Sequence, residues 1–161
     1  NEMRPDEWFV TFSGIPFGQM SEMLQDGGNR FLGMVYGTTG RHSYSKYSPA
    51  PVWALWKSFG IEDAKMLGYW DEDCPVQTSD PEVKATAYVK PDQVLISIGN
   101  FSAKDKSVRL TFNWKALGFD PAQATLEAPQ VTDFQEARSF RLDESIPVKT
   151  KEGWLLILKK N

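Results

Sequence analysis

The chain reads as an α+β protein in which a helical N-terminal segment packs on a C-terminal antiparallel β-sandwich. Three observations predict this. Residues 1–80 hold all five Met and nine of the twelve Gly, with apolar residues at helical spacing. Residues 81–161 alternate apolar and polar side chains with period two, broken by short polar turns. The two regimes meet at Asp80-Pro81. The expected division is therefore 1–80, helical and irregular, and 81–161, the sandwich.

In the first half, Trp8 to Phe12 suits a short strand, interrupted by Gly14-Ile15-Pro16. Pro16 can open a helix to Leu24, with Phe17, Met20, Met23 and Leu24 on one face and Gly27-Gly28 as its end. A second helical segment runs from Phe31 to Thr38, with Phe31, Leu32, Val35 and Met34 inward. Residues 39–49 form a polar loop. A third helix follows Pro49-Ala50-Pro51 with Val52, Leu55, Trp56 and Phe59 on one face, and Gly60 stops it. Ile61 to Leu67 reads as a short helix with Glu62 and Asp63 in its first turn, where the helix dipole favours acids. Tyr69-Trp70 then leads into the acidic turn Asp71-Glu72-Asp73.

The second half begins with a strand over Val83 to Val89 and a Pro91-Asp92 turn. Val94 to Phe101 returns as a nearly all-apolar strand, expected to be central and buried on both faces. After a turn at Lys104-Asp105, Val108, Leu110, Phe112 and Trp114 alternate with polar residues, completing a three-stranded meander. Shorter strands are expected at Ala124–Leu126, Val131–Phe134 and Ser139–Leu142. Ile146–Val148 and Trp154–Leu158 flank Lys151-Glu152-Gly153, which reads as a hairpin turn.

Composition narrows the function classes. The 161 residues can enclose a real core. The net charge of −3 divides into −5 for residues 1–80 and +2 for residues 81–161, and no Lys/Arg run occurs. That is no footprint for nucleic acid. No apolar run approaches the roughly 18 residues of a membrane span. Cys74 is the only cysteine, which excludes an intrachain disulfide and a Cys-based metal site, and suits a packed thiol. The chain opens at Asn1, so the lack of a visible signal peptide says nothing about export.

Tests for catalytic chemistry return little. His42 is the single His, set in a polar loop without a nucleophile-elbow pattern. Gly37-Thr38-Thr39-Gly40 lacks the Lys of a phosphate loop. Glycoside hydrolysis needs two carboxylates flanking the bond, about 5–9.5 Å apart. The candidates are Glu22 and Asp71-Glu72-Asp73, and adjacent acids on an extended segment face opposite ways. The aromatics are the stronger signal, with six Trp and 13% aromatic residues overall. Trp53 and Trp56 are helical neighbours, and Tyr69-Trp70 abuts Asp71. Rings beside a carboxylate suit sugar binding, and equally suit packing of the helical half onto the sheet. Asn100-Phe101-Ser102 matches a glycosylation acceptor inside an expected strand.

The order of several segments then carries a resemblance. They are Gly14-Ile15-Pro16-Phe17-Gly18-Gln19-Met20-Ser21-Glu22-Met23-Leu24, Phe31-Leu32-Gly33-Met34-Val35-Tyr36-Gly37 and Trp53-Ala54-Leu55-Trp56-Lys57-Ser58-Phe59-Gly60-Ile61. Met66-Leu67-Gly68-Tyr69-Trp70, Cys74-Pro75-Val76, Asn113-Trp114-Lys115-Ala116-Leu117-Gly118 and Gly153-Trp154-Leu155-Leu156-Ile157-Leu158 follow. Together they resemble the C-terminal region of bacterial glycoside-hydrolase-like proteins of the family-123-like sort found in gut polysaccharide degraders. The resemblance implies that residues 1–80 are the end of a (β/α) barrel and that residues 81–161 are the sandwich behind it. It implies one barrel strand end near Ser13 to Gln19, making Gln19 and Glu22 barrel-edge candidates.

The expected role is a non-catalytic region of a carbohydrate-degrading glycoside hydrolase, supporting the catalytic barrel of the same parent chain and inactive alone. No catalytic residue, cofactor or metal is expected. The resemblance implies a periplasmic, extracellular or cell-surface location. Two further readings stand beside it. One is a carbohydrate-binding module using Trp53, Trp56, Tyr69, Trp70 and Asp71 on a glycan. The other is a protein-interaction domain using the same rings.

Overall fold

A computed structural model describes residues 19–20, 29–39 and 47–161. The expected strand at Trp8–Phe12, the Gly27-Gly28 stop and His42 lie outside the described residues. The fold is α+β: a small helical N-terminal part packed on an antiparallel sandwich.

The sandwich is built on a six-stranded antiparallel sheet of order β10-β9-β12-β6-β5-β3. Its strands are β3 (Lys65–Leu67), β5 (Val83–Val89), β6 (Gln93–Asn100), β9 (Ala124–Ala128), β10 (Arg138–Phe140) and β12 (Gly153–Lys160). A second layer consists of two short pairs. One joins β4 (Val76–Thr78) to β8 (Leu110–Phe112), the other β7 (Lys106–Val108) to β11 (Ile146–Val148). Helix α3 (Trp114–Leu117) follows β8 directly, with Asn113 capping it and Gly118 closing it at φ 67°.

Alternation sorts the apolar residues of the main sheet onto two faces. Val83, Ala85, Ala87, Val94, Ile96, Ile98, Leu156 and Leu158 form the core with the second layer. Tyr88, Leu95, Leu155 and Ile157 face the other way, onto the helices. The reading of Val94 to Phe101 as buried on both faces holds for Val94–Asn100, and the strand ends one residue before Phe101.

Helix α2 (Ala50–Phe59) covers that second face with Val52, Trp56 and Phe59. Gly60 ends it at φ 72°, donating its N–H to the Trp56 and Lys57 carbonyls. Each such large apolar side chain stabilises by about 1.5–3 kcal/mol when buried. The chain then makes one 3-10 turn, Ile61–Asp63, and enters β3. The expected helix to Leu67 is thus corrected: Lys65–Leu67 pairs with Ala87–Val89, because a free sheet edge satisfies these backbone groups outright.

The N-terminal part is a strand–helix–strand unit. Strand β1 (Gln19–Met20) pairs in parallel with β2 (Thr38–Thr39), and α1 (Arg30–Val35) lies between them in sequence. Parallel neighbours require a crossover of this kind. Gln19 and Met20 are therefore extended, not helical as expected, and the rest of that predicted helix lies outside the described residues. The helix expected from Phe31 stops at Val35, and Thr38 belongs to a strand.

Helix α1 sits on a trough of small residues. Thr86 pairs with Ser97, which pairs with Leu155; one row along, Gly99 pairs with Gly153. A Cβ on Gly99 would lie 2.9 Å from Val35 Cγ2 and 3.0 Å from Leu32 Cδ2. At Gly153 it would stand 1.8 Å from the Ile98 carbonyl oxygen, a backbone atom with no room to yield.

Other expectations are corrected by topology. The third strand of the meander leaves the main sheet as β7 and β8, and β12 takes the place beside β6. Val131–Phe134 is a tight loop holding a single bridge from Val131 to Gln135. Lys151-Glu152-Gly153 is no hairpin turn: β11 and β12 lie in different sheets, and the segment carries the chain between layers with Lys151 at φ 57°. Asn100 is fully buried and donates Nδ2 to the carbonyls of Lys104 and Val148, so it is no glycan acceptor. No helix among the described residues is long and apolar enough to cross a membrane.

Gly153→Ala is expected to destabilise by about 4 kcal/mol or more, because backbone must move. Gly99→Ala meets only side-chain ends and is expected to cost about 1–3 kcal/mol. Urea unfolding orders the two. Ser97 is buried with its Oγ unpartnered among the described residues. Ser97→Ala should therefore leave the urea midpoint equal or higher, since an unpaired buried hydroxyl costs about 1–3 kcal/mol.

Candidate functional site

The functional candidates cluster where the helical part, the sheet and the second layer meet. Tyr36 caps α1 and is buried. Its ring stacks on Trp70 at 5.9 Å with an interplanar angle of 11°. It meets Tyr69 and Phe101 edge-on at 6.0 and 6.1 Å, and Tyr69 meets Trp70 edge-on at 5.1 Å. The hydroxyls of Tyr36 and Tyr69 lie 3.3 Å apart and share a hydrogen bond. Edge-to-face and offset geometries of this kind add about 0.5–1.5 kcal/mol each beyond burial.

Local sequence explains the arrangement. A Cβ on Gly68 would overlap the Trp70 ring at 2.3 Å, so glycine lets the indole fold back across the backbone. The Gly68 N–H donates to Asp71 Oδ2 at 2.8 Å, and the Asp71 N–H returns to the Gly68 carbonyl. Asp71 thereby fixes the turn that presents Tyr69 and Trp70. Lys84 Nζ stands 4.3 Å above the Tyr69 ring, a cation–π contact.

Beside this ring cluster opens a cleft of about 230 Å³, lined among others by Tyr69, Asp71, Gln77, Asp80, Pro81 and Lys84. It exists because β4 belongs to the second layer and β5 to the main sheet, so the layers fork at Asp80-Pro81. Thr78 Oγ1 spans the fork, donating to the carbonyls of Asp80 and Val83. Across the same junction Lys106 Nζ lies 2.9 Å from both Asp80 Oδ2 and Glu82 Oε2.

The hydrogen bond from Lys106, and then that from the Glu82 N–H, holds the Asp80 carboxyl below its ordinary range. The bonds to Glu82 and Asp80 push the Lys106 ammonium up. A carboxyl so held is a poor general acid, which must keep its proton near neutrality. Burial pushes the Cys74 thiol up, and its Sγ donates to the Val76 carbonyl at 3.3 Å; it is a packed thiol.

The structure places the sequence candidates as follows. Tyr69, Trp70 and Asp71 come together in one turn at the mouth of the fork. Trp56 is buried and Trp53 half-buried on α2, both in the helix–sheet core. Trp56 is closed to stacking from solvent by its burial, while Trp53 packs against the same core and keeps part of its surface exposed. Gln19 lies in β1, and Glu22 falls outside the described residues. Sequence reasoning missed Tyr36, Lys84, Gln77 and Phe101. No spacing rule joins residues from four separate elements. It missed Thr86 and Tyr88 too, although Thr and Tyr rather than Lys or Glu between apolar positions are a signal of a covered face.

Residues 48–159 match the family model described as glycoside hydrolase 123, C-terminal domain. Residues 1–43 match the model described as glycoside hydrolase 123, TIM-barrel domain. No curated protein matches the chain. The first match takes in α2, β3 and β4 with the chain after Asp80-Pro81 as far as Lys159. The second takes in β1, α1 and β2.

The ion-pair junction has a testable pH signature. The folded value of Asp80 lies below its ordinary 3.8. Its contribution is therefore full above that value and is lost as pH falls through the lower folded one. That of Lys106 is full below 10.5 and is lost as pH rises through its higher folded value. The urea midpoint is expected to drop on acidification below about pH 4, with a shallower drop in Asp80→Asn.

Proposed function

The chain belongs to the glycoside hydrolase 123 family, and on that premise we propose that it is a non-catalytic accessory region of an exported carbohydrate-degrading enzyme, one that holds the end of the parent's catalytic barrel in place. The observation that supports this reading most is the fastening of α1 at both ends. Asn29 accepts from the N–H groups of Phe31 and Leu32 through Oδ1, and donates through Nδ2 to the Lys151 carbonyl. At the other end Thr86 Oγ1 donates to the Val35 carbonyl at 2.6 Å, and Tyr88 OH to that of Met34 at 3.2 Å.

α1 falls in the stretch that matches the barrel model, and Lys151, Thr86 and Tyr88 fall in the stretch that matches the C-terminal domain. Barrel helices lie outside the ring of strands, and reacting groups sit at the strands' C-terminal ends. A sheet that grips an outer helix from behind supports β1 and β2 without approaching that face. A domain trailing on a flexible linker has no use for buried hydrogen bonds of this sort. The partner is then the remainder of the barrel, and the setting is periplasmic, extracellular or at the cell surface.

Two measurements test the proposal. Thr86→Val leaves the Val35 carbonyl without a partner among the described residues and is expected to lower stability in urea by about 1–3 kcal/mol; Tyr88→Phe costs less, about 1 kcal/mol, since Met34 retains the Gly37 N–H. Unchanged stability in Thr86→Val contradicts the grip. The isolated chain is expected to release no phenol from aryl glycosides, and enzyme-dependent turnover contradicts the non-catalytic role.

A further inference from the structure

The fork at Asp80-Pro81 has chemistry that the supporting role leaves unused. We propose that the cleft between β4 and β5 is a binding subsite for a single neutral pyranose residue. This goes beyond the barrel-holding role and does not depend on it.

Size comes first. Pockets for drug-sized ligands run to roughly 300–1,000 Å³. At about 230 Å³ the cleft is smaller and suits one sugar ring rather than an oligosaccharide.

The lining offers what vicinal hydroxyls require. Asp71 uses Oδ2 on the Gly68 N–H, which fixes the carboxylate plane. Its other oxygen has no hydrogen-bond partner among the described residues and can accept from sugar hydroxyls. Gln77 is exposed on β4 and supplies an amide that both donates and accepts. Among the described residues Lys84 has one long hydrogen bond, 3.4 Å to the Pro81 carbonyl, and keeps further N–H donors. The Pro81 ring supplies apolar wall for the C–H face of the sugar, beside a Tyr69 ring that Lys84 already covers on one face. Two of these groups, Asp71 and Lys84, are held before a ligand arrives. The carboxylate is pinned, and the ammonium is seated over a ring. The walls belong to two hydrogen-bonded ladders, so little side-chain ordering remains to be done on binding.

Local charge selects a neutral ligand. Lys106 answers Asp80 and Glu82 from outside the cleft, and the lining itself holds two carboxylates, Asp71 and Asp80, against one ammonium, Lys84. An acidic sugar would bring a third carboxylate beside Asp71 and Asp80.

The test is a titration of the ¹⁵N-labelled 161-residue chain with the methyl glycosides of glucose, galactose and N-acetylglucosamine, and with glucuronate. At least one neutral glycoside is expected to give saturable shifts at Gly68, Asp71, Gln77 and Lys84, with a Kd of about 1–10 mM, and glucuronate none. Asp71→Asn retains an acceptor for the Gly68 N–H, and Gln77→Ala changes an exposed residue. Each is expected to weaken binding about tenfold with the urea midpoint unchanged. Absence of saturable shifts up to about 50 mM overturns the proposal. So do shifts that map elsewhere, or that persist at full strength in both variants.

Discussion

A helix of six residues cannot sustain itself in water, because nucleation uses up most of what so few hydrogen bonds return. Helix α1 has only that length, and its order therefore comes from the sheet beneath it. The dependence is polar as well as apolar. The last carbonyls of any helix lack partners within it. Here two of them find hydroxyls from one strand, Thr86 and Tyr88, two residues apart on the same face. The period-two geometry of β5 sets that spacing. Gly99 deepens the seat so that the helix comes within reach of those hydroxyls, and Gly153 lets β12 pass close against the Ile98 backbone beside it. Trough, caps and helix specify one another, and the β1–β2 pair follows from the helix between them.

The same sheet has its other face in the sandwich core, which makes it the layer common to all parts of the molecule. Apolar side chains dominate both faces of β6 and β12, with Ser97 and Asn100 the buried polar residues of β6, and on the neighbouring β5 the hydroxyls of Thr86 and Tyr88 are satisfied by α1. At Asp80-Pro81 the chain passes from the second layer into this sheet. Thr78, Lys106 and the aromatic group around Tyr36 surround that passage. The junction is thus a tied fork, with a small cleft left where the two layers separate.

Much of this was legible in the residues. Alternation found β5, apolar runs found β6 and β12, and the spacing of Val52, Trp56 and Phe59 found α2 with its Gly60 stop. These are local patterns that burial enforces directly. Pairing was harder, because period two says which side chains share a face but not which strand lies alongside. Val108 to Phe112 alternates perfectly and still leaves the sheet for β4 and β11. Lys65–Leu67 and Gln19–Met20 carry helical spacing, and tertiary pairing overrides it. Within the site, Tyr69-Trp70-Asp71 stood out as a contiguous run. Tyr36, Lys84 and Phe101 join it only through the fold. The family resemblance, carried by the order of weak segments, agreed with the matches to both domains.

The central claim is that the sheet holds α1 as a cooperative part of itself. Native-state hydrogen exchange reads this directly at the amides of Gly33, Tyr36 and Gly37, which are bonded within α1 and its cap. The account predicts that they open with the same free energy as Ile96 and Leu156 in the middle of the sheet, through one shared unfolding event. Exchange of the α1 amides through an independent opening several kcal/mol less costly than that of the sheet would contradict it.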